Sequence, residues 1–191
     1  MMKPYHLASL AMGLLTVSAA HAASNIEGLA RTCNNCHGVN GVSVGQSMPS
    51  IGGLSEAYLK NTMLQWKSGE RYSATMGRLI KGYTEDEIGA LAAHFAKLPW
   101  TPVAQKTDAN LVMAGKGATE RCETCHGATG GTPDDADTPK LNGQWSQYLE
   151  LELMKYRDDG VTMPHKKMRN NARKLDANDV KAAAEFFASQ K

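Results

Sequence analysis

Cys33-Asn34-Asn35-Cys36-His37-Gly38 and Cys122-Glu123-Thr124-Cys125-His126-Gly127 are two copies of one pattern, Cys122 following Cys33 by 89 residues in a chain of 191. The neighbours travel with the pattern. Gly28 lies five residues before the first copy and Gly117 five before the second; Pro49-Ser50-Ile51 is answered by Pro139-Lys140-Leu141, Tyr58-Leu59 by Tyr148-Leu149 and Met76 by Met168. A chance pair of motifs does not bring matching surroundings, so the chain reads as a tandem duplication. The expected units are residues 23–100 and 108–191, joined by a polar linker over 101–107.

Each unit ends on the same helical pattern. Thr84-Glu85-Asp86-Glu87 is a capping box, after which Ile88, Leu91, Ala92 and Phe95 recur at i, i+3, i+4 and i+7; Val180, Ala183, Ala184 and Phe187 repeat that spacing behind Asp176. Shorter helical patterns lead into each cysteine pair, and middle helices are expected near 55–67 and 144–157. No segment alternates like a strand, so the expected fold class is all-α. Gly28 and Gly117 are the expected points where leading and final helices cross closely, against Phe95 and Phe186 or Phe187.

The composition asks for something more. At 42% hydrophobic and 21% charged the chain is globular, but only 6% is aromatic, a thin supply for two cores of about 80 residues. Domains this small usually need a staple or a bound group. A net charge of +2, with both signs interspersed, excludes a nucleic-acid surface. Residues 1–22 read as a cleaved signal peptide: Lys3, an apolar run from Leu7 to Ala20, and Ala20-His21-Ala22 at the cleavage point. That run falls short of the roughly 20 residues a bilayer requires, so no membrane span is expected after cleavage. Loss of Lys3 takes the charge from +2 to +1.

CxxCH is the attachment signature of c-type haem. Two cysteines one helical turn apart reach the two vinyl-derived positions of one porphyrin, and the adjacent histidine faces the iron. Cys33, Cys36, Cys122 and Cys125 are therefore the candidates for covalent attachment of two haem c groups, with His37 and His126 as proximal iron ligands. Zinc needs four ligands and leaves the following histidine unexplained; a dithiol or disulfide is the other alternative. Met76 and Met168, each eight residues before a final-helix cap, are the candidate distal ligands, with Met163 and His165 as rivals in the second unit. The carbonyls of Pro49 and Pro139 are placed to orient the two imidazoles. Lys155, Arg157, Lys166, Lys167, Arg169, Arg173 and Lys174 form a basic cluster around Met168. It is either a solvated face or a surface steering an acidic partner.

The paired CxxCH motifs, the Pro-x-aliphatic triplets, the middle helices and the distal methionines resemble the diheme class I cytochromes c, of which cytochrome c4 is a familiar member. A narrower resemblance is to the cytochrome subunit of flavocytochrome c sulfide dehydrogenase. It is carried by Lys67-Ser68-Gly69-Glu70, Met76-Gly77-Arg78 with Lys81-Gly82-Tyr83, the linker from Pro102 to Asp108, Gly143-Gln144-Trp145 with Tyr148-Leu149, and Lys166-Lys167-Met168. The resemblance implies two tandem class I cytochrome c domains in a periplasmic chain. It implies an FAD-containing sulfide dehydrogenase subunit as the electron donor and a soluble cytochrome or similar carrier as the acceptor. With no GxGxxG of its own, the chain is expected to have no catalytic residues and not to be an enzyme alone. A free-standing cytochrome c4-type carrier serving a terminal oxidase is the alternative, and a diheme peroxidase a more distant one.

Overall fold

A computed structural model describes residues 26–191; the expected signal peptide at residues 1–22 lies outside the described residues. The secondary structure among them is entirely helical. In the first half, α1 (Ile26–His37) carries the first CxxCH, a 3-10 turn follows at Val39–Gly41, and α2 (Glu56–Ser68) is the middle helix. A short α3 (Met76–Leu79) and a second 3-10 turn (Ile80–Gly82) lead to α4 (Glu85–Ala96). The second half runs α5 (Ala109–Ala118), a four-residue α6 (Glu123–His126), α7 (Ser146–Arg157), α8 (Lys166–Ala172) and α9 (Ala177–Ser189).

Helix starts are set by caps that occupy otherwise unpaired amides. The Thr84–Glu87 box forms with both reciprocal bonds, and Asp176 makes an equivalent box with Asp179 at the start of α9. Ser55 caps α2 and Asp108 caps α5. The leading helix of the second half runs up to the cysteine pair, as expected, but unlike α1 it does not continue through it. It breaks after Ala118, so Cys122 stands just before the separate α6 instead of sitting inside a helix as Cys33 does.

Each final helix packs on the leading and middle helices of its own half. Ala30, Leu54, Leu59, Leu91, Ala92 and Phe95 form the first core, with Ala92 fully enclosed. Leu149, Ala184 and Phe187 form the second, and Tyr156, Met163 and Ala172 a satellite beside it. Truncating Phe95 or Phe187 to alanine would cost about 3–5 kcal/mol at such sites. The close helix crossing of the second half is at Gly115, not Gly117. A Cβ on Gly115 would lie 2.1 Å from the Ala182 carbonyl oxygen and 2.6 Å from Phe186 Cβ, whereas one on Gly117 meets nothing within 4 Å. Helical phase explains the difference: Gly115 is buried against α9, while Gly117 faces outward.

The two halves repeat each other down to backbone bonds. Gly53 N–H donates to Phe95 O at 2.9 Å and Gly143 N–H to Phe187 O at 2.9 Å, tying the turn before each middle helix to the final helix. Both glycines have positive φ, 79° and 67°, and a Cβ on either would strike the chain leaving the first half, at Trp100 and Pro102 respectively. Hydrogen bonds join the halves. Trp145 Nε1 donates to Ser43 O at 3.0 Å, Trp100 Nε1 to Asn142 O at 3.0 Å and Tyr72 N–H to Thr162 O at 2.8 Å. The connecting segment is strapped down: Val103 N–H donates to Gly143 O, Gln105 Nε2 to Gln144 O, and Ser146 N–H to Gln105 Oε1.

Candidate functional site

His37 and His126 hold matching positions. Each is buried at the end of a helix, and each is bonded through Nδ1 to a proline carbonyl: Pro49 O at 2.9 Å and Pro139 O at 3.0 Å. A carbonyl oxygen only accepts, so Nδ1 carries the proton and Nε2 is left with its lone pair. Burial pushes both imidazoles below their ordinary pKa, against the opposing pull of the proline carbonyls. Both rings are thus held neutral, in one tautomer and one orientation, the state a metal-binding histidine requires.

The cysteines lie one turn before each histidine. Cys33 and Cys122 are half-buried and Cys36 is exposed; all four thiols are free. Burial raises the Cys33 thiol and pushes Cys122 up to about 11, so neither is an activated thiolate. The disulfide alternative has no support in this geometry. Nor has zinc, since no group of three or more His, Cys, Asp or Glu converges on one point among the described residues.

Met76 opens α3, half-buried, with its N–H donating to Ser73 Oγ at 3.1 Å. Met168 lies on α8, half-buried against Tyr156, Met163 and Ala172. Of its rivals, Met163 is 7% exposed inside that satellite cluster, and His165 is exposed with a left-handed backbone (φ 61°) at the start of α8. His94 is half-buried and packs edge-on against Phe95. Part of the basic cluster is engaged, while Lys166, Lys167 and Lys174 are exposed. Lys155 pairs with Glu152 and Arg173 with Asp159, while an Arg169 Nη donates to the carbonyls of Asp158 and Val161.

Sequence reasoning missed Arg71. It is 5% exposed between the halves, with Nη2 at 3.5 Å from Glu152 Oε2 and its guanidinium 5.6 Å from the centre of the Tyr156 ring. Burial disfavours its charge, but Tyr58, Tyr156 and Glu152 around it more than offset that and hold its pKa above the ordinary arginine value. Burial likewise raises the phenols of Tyr58 and Tyr148 and pushes Tyr156 up to about 12. Arg71 Nη1 and Trp66 Nε1 are buried donors with no protein partner. The available signal was an asymmetry in the repeat, since Val161, Thr162 and Met163 offer no cation at the matching place.

No family model matches the chain. Cytochrome c4 from Azotobacter vinelandii is 28% identical over 95% of this chain and 96% of its own length. Cytochrome c-553 from Helicobacter pylori is 30% identical over 47% of this chain and 94% of its own length. The chain belongs to the c-type cytochromes. This cytochrome is also 42% identical, over 70 residues, to the cytochrome subunit of sulfide dehydrogenase from Chlorobaculum tepidum; that match spans 37% of this chain and 63% of the relative. Its fold is that of reduced cytochrome c4 from Pseudomonas stutzeri, with a TM-score of 0.78 at 24% identity over 88% of this chain and 98% of the other. It is a cytochrome c4-like diheme electron carrier, and its cofactors are two haem c groups.

The residues present fit such a group. Two free CxxC pairs, two neutral imidazoles with an unengaged Nε2, and the orphaned donors of Arg71 and Trp66 answer the vinyl, iron and carboxylate parts of haem. No helix among the described residues is long and apolar enough to cross a membrane.

Proposed function

We propose that this cytochrome is the electron-accepting subunit of a periplasmic flavocytochrome c sulfide dehydrogenase. The observation that carries the electron-transfer part of the reading is the matched pair of bonds His37–Pro49 and His126–Pro139, which prepares two equivalent iron-binding imidazoles in one chain. The 42% identity to a sulfide dehydrogenase cytochrome subunit supports the partner. In this reading residues 1–22 are removed on export, residues 23–100 and 108–191 form the two haem-binding units, and residues 101–107 link them.

The haem iron supplies a one-electron couple. Cys33 and Cys36 would hold one haem and Cys122 and Cys125 the other by thioether bonds, and His37 and His126 would offer Nε2 to the iron. Met76 and Met168 would complete the iron sites from the other side, and a soft, neutral thioether there would raise the potential over that of a second imidazole. Arg71 and Trp66 would supply buried N–H donors for the haem carboxylates. The chain has no catalytic residue of its own. A separate FAD-bearing chain oxidises sulfide, and two one-electron sites suit the emptying of a two-electron flavin. A soluble cytochrome or similar carrier takes the electrons onward.

Whole-length similarity to cytochrome c4 favours a second reading, a free-standing carrier to a terminal oxidase. Purification from the native host separates the two. The first expects co-purification with a flavoprotein, flavin absorbance and sulfide-dependent reduction of two haems per chain. A monomer without flavin that sulfide does not reduce sinks it. Rapid cyanide binding at neutral pH by either iron would contradict closed His/Met ligation and point to a peroxidase.

A further inference from the structure

We propose that Gln144 of the second half is a positioning residue for the iron site of the first half, acting on the His37 imidazole through the Pro49–Ser50 peptide. This rests on the reading of His37 as an iron ligand. One peptide group carries both contacts. Its carbonyl oxygen, on Pro49, accepts from His37 Nδ1 at 2.9 Å; its N–H, on Ser50, donates to Gln144 Oε1 at 2.9 Å. The amide of Gln144 is also fixed in orientation, because its Nε2 donates to Ser50 O at 2.9 Å, and exchanging oxygen and nitrogen would spoil both bonds. Gln144 is 2% exposed and Ser50 1%, so water does not compete at this junction.

A peptide whose N–H is engaged is more polarised, and its oxygen becomes a stronger acceptor; such chains reinforce one another where the dielectric is low. A stronger acceptor on Nδ1–H makes Nε2 a more basic ligand. More donation favours ferric iron and lowers the potential. The second half lacks the relay. Pro139 O accepts from His126 Nδ1, but the N–H of the next residue, Lys140, has no side-chain acceptor among the described residues. At the turn position that matches Gln144, the first half carries Leu54, which is buried in its own core. The relay therefore runs one way, from the second half to the first iron, and sets two otherwise similar sites apart.

The test is Gln144→Leu in the diheme protein, placing there the residue that the first half already uses. Redox titration followed by proton NMR of the haem methyl resonances reads each haem separately. The expected result is a rise at the first haem only, roughly two- to fivefold in the reduced-to-oxidised ratio at fixed potential, or about 20–40 mV at 59 mV per tenfold. The Ser50 amide and His37 Nδ1–H resonances should both move upfield. Gln144→Glu, which keeps an acceptor opposite Ser50 N–H, should not raise the first potential. If the leucine variant does not accumulate, Gln144→Met removes the amide at similar length and should give the same rise. Equal shifts at both haems, or no shift at the first while the Ser50 amide moves, overturn the proposal. Failure of the underlying reading looks different: in the unmodified protein, the first iron would show no histidine resonances.

Discussion

Arg71 Nη2 sits 3.5 Å from Glu152 Oε2, a charge pair contributed by opposite halves of the chain and closed off from solvent at the arginine. Removing one member of such a pair strands the other. Glu152→Gln should therefore cost about 1–3 kcal/mol, less than a fully enclosed pair because Glu152 is 18% exposed and also serves Lys155. The Arg71→Met, Glu152→Gln double variant should lose less than the sum of the single losses. Denaturant unfolding with an unchanged m-value measures this, and strict additivity would show that the two residues do not communicate.

Gly115 and Gly117 occupy one helix two residues apart and should respond oppositely to alanine. Gly115→Ala forces a methyl group into the Ala182 backbone and should destabilise by about 1–3 kcal/mol. Gly117→Ala enters open space and should stabilise by roughly 0.5–1 kcal/mol through helix propensity. Thermal melts of the two variants settle the register of the α5–α9 crossing.

The capping box of α4 predicts a pH dependence. Glu87 accepts from the Thr84 backbone N–H and from its hydroxyl, and these bonds hold its carboxyl below the ordinary glutamate value of 4.5. The unfolded chain then binds the proton first, so stability rises with pH across that window. The contribution is present above 4.5 and is lost as pH falls through the folded value. Glu87→Gln should flatten the stability profile between those limits and leave it unchanged at neutral pH in shape.

With Met168 as the proposed distal ligand, Met168→His should lower the potential of the second haem and leave the first nearly unaltered, since a second imidazole would replace a thioether. The two reduction waves should separate in a spectroelectrochemical titration. An unshifted second wave would transfer the ligand role to Met163 or His165, which lie close by on the approach to α8.

Much of this molecule was legible from periodicity. The Thr84 box, the apolar spacing of both final helices and the Pro49 and Pro139 carbonyls follow from patterns with a fixed physical meaning, and the structure places each where expected. The misread positions share a different cause. Gly117 matches Gly28 in register, but helical phase decides which face meets α9, and that face carries Gly115. Arg71 and Gln144 act across the contact between halves, and nothing local in a sequence announces a partner 81 or 94 residues away. Both stand where the two copies differ, so departures from the repeat were the signal.

The segment between the halves has its own consequence. Val103 and Gln105 are bonded to Gly143, Gln144 and Ser146, which makes the connection an outlying part of the second half and leaves it no slack to act as a hinge. Exchange of an electron between the two proposed centres should then proceed by tunnelling at a set separation, without a swinging arm to wait for. Its rate should be indifferent to solvent viscosity.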